Sequence, residues 1–223
     1  MKRFMTTADI AAWLTIFAYR VDAETDRLSE LDAASGDADH GANLRRGVAA
    51  IRSLIDAQGD QGRPGEYFKQ VGLTIVDTVG GSSGALYGTI FLRFAATVGP
   101  ASDVVDGETM AAGLEAAYQG IVDRGRARSG DKTMYDALEP AARAFRAAFA
   151  SGEAIQACWR SAADAAAAGA AATASMRARR GKSSYVGEKS IGTVDPGAAS
   201  VALLIAAASE AMNRAEFAGD SNS

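Results

Sequence analysis

The sequence predicts an all-α chain. Alanine, the strongest helix former, is abundant. Strand-like alternation of β-branched residues is scarce. The long segments place apolar residues three and four apart, the period of a helix with one buried face. Eight helices follow, joined by polar, glycine-rich loops.

The first helix is expected over about residues 7 to 28, with Trp13, Ile16, Phe17 and Tyr19 as its apolar bulk. The second, about 42 to 57, carries Leu44, Val48, Ile51 and Ile55 at spacings of three and four. Gly59 to Gly65 is a turn, and Pro64 suits the first position of a third helix over about 65 to 78. The run Gly80-Gly81-Ser82-Ser83-Gly84 opens a fourth helix with Leu86, Ile90, Phe91 and Phe94. A fifth lies near 106 to 123. Gly125 to Lys132 leads to a sixth over about 134 to 150, where Pro140 bends the helix or marks a late start. The seventh, about 152 to 174, is nearly all alanine in its second half. A long polar segment, Arg177 to Gly197, precedes the last helix, about 198 to 215, with Val201, Leu203, Leu204 and Ile205. Ala218 to Ser223 reads as a frayed tail. With no repeat and no break in composition, residues 1–223 are expected to form a single domain.

The composition excludes several classes. A formal net charge of −4 argues against a general nucleic-acid binder. No apolar run reaches the ~18 residues of a membrane span. Met1-Lys2-Arg3-Phe4, followed by polar Thr6, Thr7 and Asp9, does not read as a signal peptide. Cys158 is the single cysteine, so no internal disulfide or Cys/His zinc set exists, and the cytoplasm is the expected compartment. In its alanine-rich setting Cys158 reads as a buried structural thiol.

The chemistry is concentrated in Asp32-Ala33-Ala34-Ser35-Gly36-Asp37-Ala38-Asp39-His40-Gly41-Ala42-Asn43. Three carboxylates, the sole histidine and a carboxamide stand together there. Asp32, Asp37 and Asp39 supply oxygen ligands suited to a hard cation such as Mg2+, which commonly shares them with phosphates. A helix beginning near Ala42 would turn its free N–H groups toward an anion. Gly80 to Gly84 is no P-loop, since no Gly-Lys-Ser/Thr follows and no strand precedes it.

Four strings together resemble the nucleotide-binding L subunit of dihydroxyacetone kinase, the DhaL-type or DAK2 family. They are Gly36 to Asn43, Gly80 to Thr89, Gly130-Asp131-Lys132-Thr133-Met134, and Gly181 to Glu188 with Asp195-Pro196-Gly197-Ala198. They occur in the family's order and span nearly the whole chain. The resemblance implies a barrel of eight antiparallel helices with the nucleotide at one end. It implies that Asp32, Asp37 and Asp39 hold two Mg2+ ions on ADP or ATP. His40, Gly41, Ala42 and Asn43 would line the phosphate site, and Ser82 and Ser83 would donate to phosphate oxygens. Gly125 and Met134 would border the adenine, and Lys182 with Asp195, Pro196 and Gly197 would close the site. Three positions depart from the family pattern: Ala38 replaces a usual glycine, Lys182 a usual arginine and Thr193 a common histidine. Lysine keeps the charge of arginine but not its bidentate fork.

In this family a histidine of a separate K subunit or domain holds the ketose. The single histidine here lies in the metal loop, so the resemblance implies a K-type partner. The phosphoryl donor is either a phosphotransferase-system subunit that recharges bound ADP, or free ATP. The alternatives are a kinase subunit for a larger ketose such as a tetrulose, and a nucleotide-sensing regulatory partner. The fatty-acid kinase branch fits the Tyr185-to-Glu188 and Asp195-to-Gly197 strings less well.

Overall fold

The computed structural model describes residues 4–34 and 36–219, with residues 215–219 described by backbone alone. The expected frayed tail therefore lies largely outside the described residues, as do the first three residues. The all-α expectation holds. Nine α-helices lie among the described residues: α1 Thr7–Ala23, α2 Thr25–Ala33, α3 His40–Gln58, α4 Pro64–Thr78, α5 Gly81–Val98, α6 Gly107–Gly125, α7 Tyr135–Ala150, α8 Ile155–Ala172 and α9 Pro196–Gly219. The only strands among these residues are β1 Phe4–Met5 and β2 Val105–Asp106, an antiparallel pair pinning the start of α1 to the start of α6.

The expected first helix over about 7 to 28 is two helices. α1 begins with a capping box, in which Thr6 and Asp9 each bond the other's backbone N–H. It ends at Glu24, which leaves the helical region at φ −105°, ψ 7°. At the break the Thr25 hydroxyl donates back to the Val21 carbonyl at 2.8 Å, a local bond that competes with the helix ladder. The chain then turns helical again as far as Ala33, so Asp32 stands in a helix and not in the loop expected for it. α3 likewise begins at His40, two residues ahead of Ala42.

Pro64 occupies the first turn of α4, as its missing N–H suits. Pro140 lies inside α7, which starts at Tyr135, so a late start is not what it marks. The long polar segment is not structureless: a 3-10 coil runs from Lys182 to Ser190, kinked at Gly187.

Each helix from α3 onward packs on the next in sequence, and α9 packs on both α8 and α1, so the order closes on itself. Every α-helix contributes to one apolar core. Its centre is aromatic: Trp13 of α1 meets Phe68 of α4 and Phe94 of α5 edge-on at 6.1 Å and lies 5.4 Å from Trp159 of α8, which meets Phe145 of α7 at 5.0 Å. The Trp13 indole N–H donates to the Leu204 carbonyl at 2.8 Å, tying α1 to α9. Cys158 is fully buried beside this core, and burial pushes its thiol up. No described helix is long and apolar enough to cross a membrane.

Candidate functional site

The starts of α3, α5 and α9 meet along one cleft of about 360 Å³, within the size range of small-molecule sites. Its lining includes Asp32, Asp37, Asp39, His40, Asn43, Ser82, Ser83, Gly125, Met134, Lys182, Asp195, Pro196 and Gly197. Of the residues singled out in the sequence, Gly41 and Ala42 are not among the lining. Gly41 serves packing: a Cβ there would lie 2.1 Å from the Thr25 carbonyl oxygen, so its lack of a side chain lets α3 press against α2.

Oxygen atoms of Asp32, Asp37 and Asp39 lie within 4.8 Å of one another. Asp32 is held rigidly. Its Oδ2 accepts the N–H groups of Asp39 at 2.9 Å and His40 at 3.1 Å, which caps the start of α3. A Cβ on Gly36 would sit 2.3 Å from Asp32 Oδ1, so glycine leaves room for that carboxylate. Asp37 is exposed and ion-pairs with Lys182 across 145 residues of sequence. That bond holds the Asp37 carboxyl below its usual range and raises the Lys182 ammonium. Ala38, between the two loop carboxylates, is forced to φ +61°, a region costly for any residue with a Cβ.

Three helix N-termini line the same cleft, each a positive pole. α3 and α9 are capped by Asp32 and by Asp195, whose Oδ2 accepts the Ala198 N–H at 2.7 Å. α5 begins at Gly81 with no side-chain cap, so its first N–H groups are available to an anion. Arg124, Arg180 and Lys182 add cationic side chains, and Leu86, Ile121, Ala127 and Met134 give the cleft an apolar wall. The donor set fits Mg2+, with three hard carboxylate oxygens close together and no sulfur.

Several partners were not evident in the sequence. His40 is buried, and desolvation pulls its pKa down. Its Nδ1 meets Ser83 Oγ at 3.2 Å and its Nε2 meets Ser200 Oγ at 2.9 Å. Ser200 also accepts from the buried Tyr87 hydroxyl at 2.7 Å. His40 is thus locked in orientation, with both ring nitrogens engaged away from the carboxylates. Ser200 sits in an otherwise apolar helix start, and that lone polar position was its one sequence signal. Lys132 is 1% exposed, at φ +61°, and donates to the Thr173 carbonyl at 2.7 Å and to that of Thr193. Asp136 accepts from the N–H groups of Gly130 at 2.6 Å and Thr133 at 2.9 Å, shaping the turn before α7. Asp195 is buried, and desolvation pushes its carboxyl up to about 7 despite the Ala198 N–H and nearby Lys132.

The chain is similar to several known proteins. Residues 34–210 match the family model of the DAK2 domain. The chain is 37% identical to the ADP-binding subunit DhaL of PEP-dependent dihydroxyacetone kinase 1 from Listeria innocua, over 86% of this chain and 90% of that subunit. It is 36% identical to D-erythrulose kinase from Mycolicibacterium smegmatis, over 82% of this chain but 31% of that enzyme. The solved dihydroxyacetone kinase from C. freundii in complex with AMP-PNP and Mg2+ matches with a TM-score of 0.66 and 26% identity, over 90% of this chain and 33% of that one.

Proposed function

The chain belongs to the DAK2 domain family, and from that premise we propose that it is the Mg-nucleotide-binding subunit of a dihydroxyacetone-type kinase. In this reading phosphate passes to a ketose held by a separate K-type subunit. One observation carries the proposal: three clustered carboxylates share a cleft with three helix N-termini. Phosphoryl transfer needs that combination, because its chemistry is mostly positioning and charge neutralisation.

Asp32, Asp37 and Asp39 would hold Mg2+, which when bound neutralises phosphate charge. The open N–H groups of α5 and the hydroxyls of Ser82 and Ser83 orient phosphate oxygens. Leu86, Ile121 and Met134 offer a flat apolar wall to the base, where a thioether suits a ring. Lys182 stands ready to leave Asp37 and face the phosphates. The single histidine of this domain is enclosed by serines, so in this reading the ketose is held outside it, on a K-type subunit or domain. The L. innocua relative is named as a subunit of a PEP-dependent kinase, which favours a phosphotransferase-system donor recharging bound ADP.

A second acceptor is a tetrulose, favoured by the similarity to D-erythrulose kinase. A coupled assay with Mg2+, either dihydroxyacetone or erythrulose, and as donor either ATP or phosphoenolpyruvate with the phosphotransferase-system proteins, with and without a K-type subunit, tests both. Turnover is expected only with the partner present. Robust turnover by the isolated chain would place the acceptor site here and overturn the partnered reading.

A further inference from the structure

The segment 177–197 supplies both ends of one cleft wall: Arg180, Gly181, Lys182 and Ser183 at its start, and Asp195 at its close, leading into Pro196 and Gly197. Between them it buries little apolar surface, for Tyr185 is 90% exposed and Ile191 48%, although Ser190 is buried against the Ala178 N–H and the Gly192 N–H donates to the Ala174 carbonyl. Such a stretch, poor in buried apolar contacts, opens more easily than the helices around it.

Two adjacent residues of the α6–α7 connection grip it. The Asp131 carbonyl accepts the Arg179 N–H at 3.0 Å, and its carboxylate accepts from Arg180 Nε at 3.4 Å and from the Arg128 N–H at 3.0 Å. Lys132 reaches the other end, where its ammonium joins the Thr193 carbonyl to that of Thr173. Thr173 follows the C-terminus of α8, the negative pole of that helix, where a cation is favoured. The Thr173 hydroxyl oxygen also accepts the Asp195 N–H at 2.9 Å. Burying an ammonium is unfavourable unless its hydrogens are bonded, and a left-handed backbone is unfavourable for lysine. Local preference therefore does not account for Lys132 at this position, whereas the bridge it makes does.

Building on the nucleotide-site reading above, we infer that Asp131 and Lys132 clamp the two ends of the 177–197 segment, and that Lys132 is the positioning residue for the Asp195-Pro196-Gly197 edge of the site. Release of the clamp lets that wall swing away, so its loss shortens nucleotide residence without altering encounter.

Lys132→Met tests this, since it keeps the apolar stem and removes the ammonium. Thr173 O retains the Met176 N–H at 3.0 Å, so Thr193 O is the carbonyl left without this donor. Trypsin reads the segment directly through Arg177, Arg179, Arg180, Lys182 and Lys189. Without nucleotide, cleavage at these residues should accelerate at least about tenfold, while the far-UV helical signal and cleavage elsewhere stay unchanged. Asp131→Asn should loosen the opposite end to a smaller degree. With MgADP, the dissociation rate should rise about tenfold and the association rate hold, because the clamp acts after encounter.

Unchanged cleavage of the segment in folded Lys132→Met overturns the clamp. If that variant fails to fold, hydrogen exchange of the unmodified chain decides. The amides of Arg179, Gly192 and Asp195 should show one common protection factor after correction for their intrinsic exchange rates, and unequal protection overturns the proposal. Trypsin and exchange readings need no nucleotide. A chain that shows the clamp but binds no MgADP would therefore refute the nucleotide reading alone.

Discussion

Lys182 donates to Asp37, so the exposed member of the carboxylate triad already holds a cation. Metal and lysine therefore compete for one oxygen. Lys182→Met should bind Mg2+ alone more tightly, by at most about fivefold, as befits an exposed pair. It should bind MgADP more weakly, because a charge facing the phosphates is lost. Calorimetry with Mg2+ and with MgADP separates the two effects, and parallel shifts would show that Lys182 does not exchange partners.

The carboxylates themselves should dominate affinity. Asp37→Asn and Asp39→Asn should each weaken MgADP binding by more than about tenfold, since even residues behind a ligand commonly matter that much. Asp32→Ala should lose affinity and stability together, because Asp32 also caps α3, whereas Asp32→Asn keeps one acceptor oxygen for both N–H groups and should lose mainly affinity. Calorimetry showing unchanged MgADP affinity in the first two variants would refute the ligand assignment.

Ala38 at φ +61° predicts a stabilising substitution. Ala38→Gly relieves left-handed strain of ~1–2 kcal/mol but adds unfolded-state freedom worth ~0.5–1 kcal/mol. The net gain should be about 0.5–1 kcal/mol, raising Tm by about 1–4 °C in a chain of this size. A fall in Tm by calorimetry would mean that the alanine is favoured by something other than its backbone.

Asp195 predicts a pH dependence. Its folded pKa of about 7 lies above the usual 3.8. The folded chain therefore binds more protons than the unfolded chain between those values, so its contribution to stability falls as pH rises from about 4 to about 7. The slope from this group is at most about 1.4 kcal/mol per pH unit. Asp195→Asn keeps an acceptor for the Ala198 N–H and should flatten Tm against pH over that window. An unaltered profile would place the titration elsewhere.

Apart from the division of the first helix, helix positions were legible because each long helix shows a repeating apolar face, as Leu44, Val48 and Ile51 do in α3. The break at Glu24 was not, because apolar residues continue in helical register through it and Thr25 competes only once folded. In the cleft, short polar strings pointed to residues that the fold brings together, among them Asp37 and Lys182. What escaped was tertiary: Ser200 matters through His40, and Lys132 through carbonyls 41 and 61 residues away. A carbonyl carries no residue identity, so no sequence pattern could announce those bonds. The packing role of Gly41 escaped for the same reason, since it lies in what the residue lacks against α2.

Trp13 and Trp159, the chain's two indoles, are fully buried side by side, and neither lines the cleft. Their intrinsic emission should be blue-shifted, shielded from aqueous quenchers and indifferent to cleft occupancy. The molecule thus carries its own optical gauge of integrity, so any variant of the site can be certified as folded by fluorescence before its binding is measured.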